Sequence, residues 1–170
     1  TPILEIQPNS PDSTWAQLNE PAFTFVNDTL FGMLYNHAVI SDTRGIAPEG
    51  WHIPTDEDWK QLEEFIGVSN VHSLGWRGDR EAEDLVPKFS LGWLEGSYLF
   101  GTGKYGFEAL PGGCRLFNGM RSSEGNMAFW WTATSSQNEA YYRYIDGNKK
   151  QIFRQKTNKN YGMSIRCVKN

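Results

Sequence analysis

Apolar positions recur with helical spacing in one stretch of the chain and with strand-like texture in several others. After Gly50-Trp51-His52-Ile53-Pro54, residues Trp59, Leu62, Phe65 and Ile66 share one helical face. Thr55 in front of them is a good N-cap, and Asp58 can answer it as a capping box. Asp56, Glu57 and Asp58 also place negative charge at the positive end of the helix dipole. Gly67 stands where a left-handed C-cap residue belongs. The pattern predicts an amphipathic helix over 55–66. A shorter helix is expected over 79–86, where Ala82, Leu85 and Val86 share a face and Pro87 stops it.

Strand signals are shorter. Phe23-Thr24-Phe25-Val26 reads as a strand, and 33–40 as an apolar segment that fits strand or helix, ending at the turn Thr43-Arg44-Gly45. Beyond Pro87 the chain becomes Gly-rich and aromatic-rich, as in Gly92-Trp93 and Tyr105-Gly106-Phe107, punctuation that forbids long elements. Residues 129–135 and 140–145 have the composition of strands, and Asp146-Gly147-Asn148 predicts a turn into a hairpin partner over 151–155. A last strand is expected over 161–168. Residues 1–22 carry Pro2, Pro8, Pro11 and Pro21 among Asn, Ser and Asp, a composition of turns and extended pieces rather than helix. They are expected to be an extended lead-in, a linker or an edge strand before a single domain over 23–170. The predicted class is α+β, with helices first and then a twisted antiparallel sheet with long loops.

With 170 residues the chain has the size of one domain with its own core. Only 39% of it is hydrophobic, but aromatics reach 14%, and 7 Trp supply large apolar areas that a loop-rich fold can bury. A balance of 16 basic against 20 acidic residues, with no Lys/Arg block, speaks against nucleic acid and anionic membrane as partners. Met127 to Trp131 is the longest apolar stretch, far below the roughly 20 residues of a bilayer-spanning helix, so no direct membrane insertion is expected. Thr1-Pro2-Ile3-Leu4-Glu5 lacks the basic start and apolar run of a signal peptide, as a trimmed mature chain also would. Cys114 and Cys167 do not form a CxxC pair, which argues against a structural zinc site. Two readings of them stay open. Bonded, they close a loop of about fifty residues worth roughly 4 kcal/mol in an oxidising compartment; free, they are small buried hydrophobes.

Several separated segments resemble the Fibrobacter succinogenes major paralogous domain family. They are Gly32-Met33-Leu34-Tyr35-Asn36, the run from Arg44 to Trp59, Gly106-Phe107-Glu108-Ala109-Leu110-Pro111-Gly112-Gly113, Trp130-Trp131-Thr132-Ala133-Thr134, Ala140-Tyr141-Tyr142-Arg143-Tyr144 and the run from Tyr161 to Val168. The resemblance covers about residues 31–169 in the family's order. More distantly, the Ile53 to Trp59 segment, Pro111-Gly112-Gly113 and Gly162 to Cys167 are similar to marker segments of formylglycine-generating enzymes and other sulfatase-modifying-factor domains. That resemblance implies the C-type-lectin-like fold, in which terminal strands meet and long loops form a binding face. The family resemblance implies a Bacteroidetes or Fibrobacteres envelope location, as a secreted protein or lipoprotein. Asp28-Thr29-Leu30 also fits a short O-glycosylation pattern used in Bacteroidetes.

Formylglycine-generating enzymes need two copper-binding cysteines, and Arg166-Cys167 echoes that segment only in part. The chain lacks the Gly-Asn-Val-Trp-Glu-Trp segment of those enzymes, and Cys114 stands where the closer family usually has Tyr. His37, His52 and His72 have no metal-ligand spacing and read as hydrogen-bonded or surface side chains. Glu63-Glu64 and Glu81/Glu83-Asp84 imitate a glycosidase dyad, but helical acids ordinarily face solvent. Asp146-Gly147-Asn148 lacks an EF-hand ladder, and the Glu-Pro-Asn triplet of calcium-dependent lectins is absent. No cofactor is therefore expected.

Aromatic side chains remain. Trp51, Trp59, Trp130 and Trp131 lie inside shared family segments and read as core. Tyr141, Tyr142, Tyr144, Phe153 and Tyr161 flank polar residues in the hairpin region, where lectin-like folds place a ligand face. The expected ligand-binding set is Asn138, Tyr142, Tyr144, Asn148, Arg154, Lys156, Asn158, Asn160 and Tyr161. The leading expectation is a non-enzymatic extracytoplasmic module that binds a glycan or a surface protein. The alternative is a structural component of an envelope assembly, and the remotest is a formylglycine-generating type of oxidoreductase.

Overall fold

The computed structural model describes residues 2–26 and 29–170. The described residues form, in chain order, β1 (Leu4–Glu5), α1 (Asp12–Ala16), β2 (Ala22–Phe25), β3 (Met33–Asn36), β4 (Trp51–His52), α2 (Asp56–Phe65), β5 (Gly75–Arg77), α3 (Ala82–Leu85), β6 (Cys114–Arg115), β7 (Arg121–Ser122), β8 (Met127–Ser135), β9 (Glu139–Asp146), β10 (Ile152–Asn158), β11 (Gly162–Met163) and β12 (Val168–Lys169). They build a six-stranded sheet ordered β1-β2-β3-β11-β6-β7, a four-stranded sheet ordered β5-β10-β9-β8, and a two-stranded pair of β12 with β4. The class is α+β, as expected. The Asp28-Thr29-Leu30 pattern begins outside the described residues.

Several expectations change on contact with the structure. Strands precede the helix α2 as well as follow it, and β1 pairs with β2 in parallel. The 2–22 segment does supply that edge strand. It also contains α1, and Ile6 and Trp15 are buried, the Trp15 indole donating to the Asn160 carbonyl at 2.8 Å. The ambiguous 33–40 segment is both kinds of structure: β3, then a 3-10 helix over His37–Ser41. The expected last strand splits into β11 and β12, which join different sheets.

Helix α2 begins as its sequence demands. Thr55 Oγ1 accepts from the Asp58 amide at 3.1 Å, and Asp58 Oδ2 accepts from the Thr55 amide at 2.7 Å, closing the capping box. Its inward face is Asp56, Trp59, Glu63 and Ile66, while Phe65 is exposed. The expected apolar face thus loses Phe65, and the solvent-facing reading of the helical acids is corrected for Glu63 and Glu83, while Glu64 is exposed as expected. Glu63 and Glu83 are buried because each has cationic partners: Arg77 and Arg143 for Glu63, Arg80 and Lys150 for Glu83.

Beneath α2 lies an ionic core. Asp56 accepts from Arg143 Nη1 at 2.8 Å and from Arg154 Nε and Nη2 at 2.9 and 2.7 Å. Glu63 accepts from Arg143 Nε at 2.8 Å and from Arg77 Nη2 at 2.8 Å. Three guanidiniums from β5, β9 and β10 therefore converge on two carboxylates two helical turns apart, an arrangement whose charge-assisted bonds offset the desolvation of burying it. Trp59 packs beside them on Trp130 and Phe107, with ring centroids 5.7 and 5.8 Å away. Ile145 and Ile152 extend this core, whereas Trp51, expected inside, is exposed.

Candidate functional site

Alternation along a strand sends successive side chains to opposite faces. In the four-stranded sheet, Arg77, Arg143, Ile145, Ile152 and Arg154 are buried and the ionic core is built from three of them. Their neighbours in sequence, Trp76, Tyr142, Tyr144 and Phe153, occupy the other face and are half-buried. The ladder register then aligns them. Trp76 lies opposite Phe153, Phe153 opposite Tyr144, and Tyr144 opposite Phe129, so one rung of all four strands is aromatic. Ring centroids along it are 4.9, 4.5 and 5.0 Å apart. Such contacts add about 0.5–1.5 kcal/mol each beyond area burial.

The next rung is Gln155, Tyr142 and Trp131. Tyr142 lies parallel to Tyr144 at 6.1 Å, and Trp131 is fully buried, donating its indole N–H to the Tyr35 carbonyl at 2.8 Å. Burial, followed by the nearby Tyr144, Tyr161 and Cys114, pushes the Tyr142 phenol up to about 12. Burial and then Asp146 also raise Tyr144. Both hydroxyls are therefore neutral donors at ordinary pH. Lys149 Nζ stands 5.9 Å from the Trp76 ring at one end of the aromatic rung.

The residues expected from sequence to bind ligand are dispersed. Tyr142 and Tyr144 share the aromatic face. Arg154 does not join them: its buried guanidinium chelates Asp56 and also donates to the His72 carbonyl at 2.9 Å, which corrects its expected place at the surface. Lys156 follows the same inward parity and stands 4.7 Å from the Tyr141 ring. Asn138 and Asn158 lie at one end of the sheet, with Asn160 next to them, its amide donating to Asn158 Oδ1 at 2.8 Å. Asn148 lies in the opposite turn, bonded to Asp146, about 20 Å away along β9. Tyr161 packs on Phe117 at 5.8 Å. Asn160 also lines a polar cavity of about 330 Å³ together with Asn19, Asn36, His37, Ser41 and Lys159.

Trp76, Phe153 and Phe129 complete the aromatic rung with Tyr144 and were missing from the expected ligand-binding set, although Phe153 was noted among the hairpin aromatics. Trp76 sits on the three-residue strand β5, too short to announce itself, and its ladder partner Phe153 is remote in sequence. Cys114 and Cys167 are free thiols, the first in β6 of the six-stranded sheet and the second beside α2, so the bonded alternative is not realised. Burial pushes the Cys114 thiol up to about 12 and raises Cys167 as well. His37 Nε2 donates to the buried Thr132 carbonyl at 3.0 Å, and His52 contacts Asn170 at 2.6 Å. Among the described residues, no group of three or more His, Cys, Asp or Glu is placed to hold a metal ion, and no helix is long and apolar enough to cross a membrane.

The mixed α+β body and its motif-bearing segments agree with one family of bacterial domains. The family model of the Fibrobacter succinogenes major domain matches residues 2–169, and the chain belongs to that family. The match takes in the N-terminal segment with α1 as well as the motif-bearing remainder. No curated protein and no solved structure matches the chain.

Proposed function

We propose that this protein is a non-enzymatic, extracytoplasmic ligand-binding module of C-type-lectin-like fold that lays its aromatic sheet face against a glycan. The observation that carries the reading is the Trp76-Phe153-Tyr144-Phe129 rung. Pyranose rings present apolar CH faces that stack on aromatic rings, and amphipathic Tyr and Trp tips supply hydrogen bonds to the hydroxyls. Four adjacent strands span about 14 Å, room for several sugar residues along the rung. Separated free thiols, both with raised pKa, give no support to the oxidoreductase reading. A structural role in an envelope assembly is the second reading, favoured by the exposed apolar side chains over 89–100.

The test is a glycan array followed by calorimetric titration of any hit, with Trp76→Ala and Tyr144→Ala beside the parent chain. Both variants should keep a cooperative thermal transition and lose at least tenfold in affinity. Binding that both variants leave unaltered refutes the aromatic face as the site.

A further inference from the structure

Between α3 and β6 the chain leaves the body and returns to the same spot. The Gly103 amide donates to the Val86 carbonyl at 3.0 Å and the Phe89 amide to the Gly101 carbonyl at 3.1 Å. Ser90 Oγ donates to the Leu99 carbonyl at 2.9 Å and accepts from the Gly101 amide at 3.0 Å. Gly101 is obligatory at this closure, because a Cβ there would stand 1.9 Å from the Pro87 carbonyl oxygen. The result is an Ω-loop whose Trp93 and Leu99 are buried in the main core beside Trp59, Ile145 and Ile152. It is also tied to the turns that flank the four-stranded sheet, the Leu94 amide donating to the Gly125 carbonyl at 2.9 Å and the Tyr98 amide and Ser97 Oγ to the Gly147 carbonyl at 2.7 and 2.9 Å.

A loop so thoroughly pinned would be expected to hide its apolar side chains. Instead Phe89, Leu91, Leu94, Tyr98 and Phe100 are between 54% and 75% exposed. Phe89 and Ser90 are consecutive left-handed residues, with φ of 63° and 53°, a conformation unfavourable for a bulky side chain. Strain of this kind persists where surrounding structure enforces it, and it gathers at functional surfaces.

We infer that this Ω-loop is a self-association surface on which a second copy of the chain docks about a twofold axis. The five side chains offer on the order of 600 Å² of apolar area, at the upper limit of what a monomer leaves open and near the 800 Å² per partner of a standard interface. Its composition is that of an interface core, rich in aromatics and poor in charge, with Glu95 the sole charged residue from 89 to 100. The charges it does carry suit a copy of itself. Exposed Glu95 within the loop and exposed Lys88 at its base, whose ammonium lies 5.2 Å from the Phe89 ring, are opposite in sign. A twofold pairing that brings Glu95 of one copy to Lys88 of the other makes the same opposite-sign contact a second time. An anionic lipid surface would meet Glu95 and a net charge of −4 unfavourably.

Sedimentation velocity across a micromolar concentration series of the whole chain tests this. The parent should shift from monomer to dimer mass with concentration. Phe89→Ser combined with Phe100→Ser should raise the dimer dissociation constant on the order of a hundredfold or more while keeping the parent's circular dichroism and Tm. Glu95→Lys should weaken the dimer and Lys88→Glu in the same chain should restore it. A parent chain that stays monomeric throughout overturns the inference, including one that binds phosphatidylcholine vesicles instead. So does a dimer that the double serine variant leaves intact.

Discussion

Glu63 and Arg143, 80 residues apart in the chain and both shut off from solvent, are joined by a 2.8 Å hydrogen bond from Arg143 Nε to Glu63 Oε1. The same guanidinium reaches Asp56 at the head of the helix, so Arg143 fixes both ends of α2 against β9. Glu63→Gln keeps the volume and removes the charge, leaving Arg77 and Arg143 short of a counter-ion. Loss of one partner from a buried pair costs about 3–5 kcal/mol, so urea unfolding should show a midpoint far below that of the parent chain. A loss under about 1 kcal/mol would place the pair in the energetic class of surface ion pairs.

Stability should fall in two steps as the solution is acidified. Burial, reinforced by nearby Lys159 and opposed by the bond to Thr132, holds His37 at about 4 against an ordinary 6.5. Because the folded pKa is depressed, the folded state resists a proton that the unfolded chain accepts. His37 therefore contributes fully above pH 6.5 and loses that contribution as pH falls toward 4, a change of roughly 3 kcal/mol. Asp56 contributes the most deeply buried part of the second step, to which Asp42, Asp58 and Glu83, also held below their ordinary values, add. Burial raises the Asp56 pKa, but bonds from Arg154 and Arg143 outweigh burial and hold it at about 2, below the usual 3.8. Its stabilisation is complete above 3.8 and disappears as pH falls toward 2. Chemical denaturation at stepped pH should show both, and His37→Gln should erase only the upper one.

The two thiols should respond differently to a disulfide reagent. Cys167 is half-buried and Cys114 buried, and burial raises both pKa values. In native buffer near neutral pH, Ellman's reagent should titrate Cys167 slowly and spare Cys114, with both reacting in denaturant. Intact mass should be the same with and without reductant. A two-dalton rise on reduction would contradict the free-thiol structure.

Thr55→Ala removes the oxygen that accepts from the Asp58 amide and leaves Asp58 without its hydroxyl partner. The expected loss is about 1 kcal/mol, seen as a drop of a few degrees in Tm. Thr55→Ser keeps the acceptor and should recover most of it.

The α2 entrance was legible because capping is local: Thr55 and Asp58 are three residues apart, and their bond needs nothing from the rest of the chain. Gly67 likewise adopts the left-handed φ, 96°, that its position implied. The hairpin of β9 and β10 was legible for the same reason, through Asp146-Gly147-Asn148 between two strand-like runs. What stayed hidden depends on long-range pairing. Glu63 read as solvent-facing because the arginines that neutralise it, Arg77 and Arg143, arrive from β5 and β9. Arg154 read as a surface residue because alternation gives two faces without saying which is inward. The aromatic face was half visible in Tyr142 and Tyr144, but Trp76 joins only through a ladder to β10.

The division of labour between the two faces of the four-stranded sheet limits how such a domain can diversify. Rings and guanidiniums alternate residue by residue on β5, β9 and β10, so inserting a single residue within one of these strands would carry rings into the ionic layer and charges into water. Exchange of one ring for another at a given rung leaves that partition untouched. The ring set of this face is thus open to point substitution and closed to strand lengthening, which leaves the turns and the Ω-loop as the places where insertions can be absorbed.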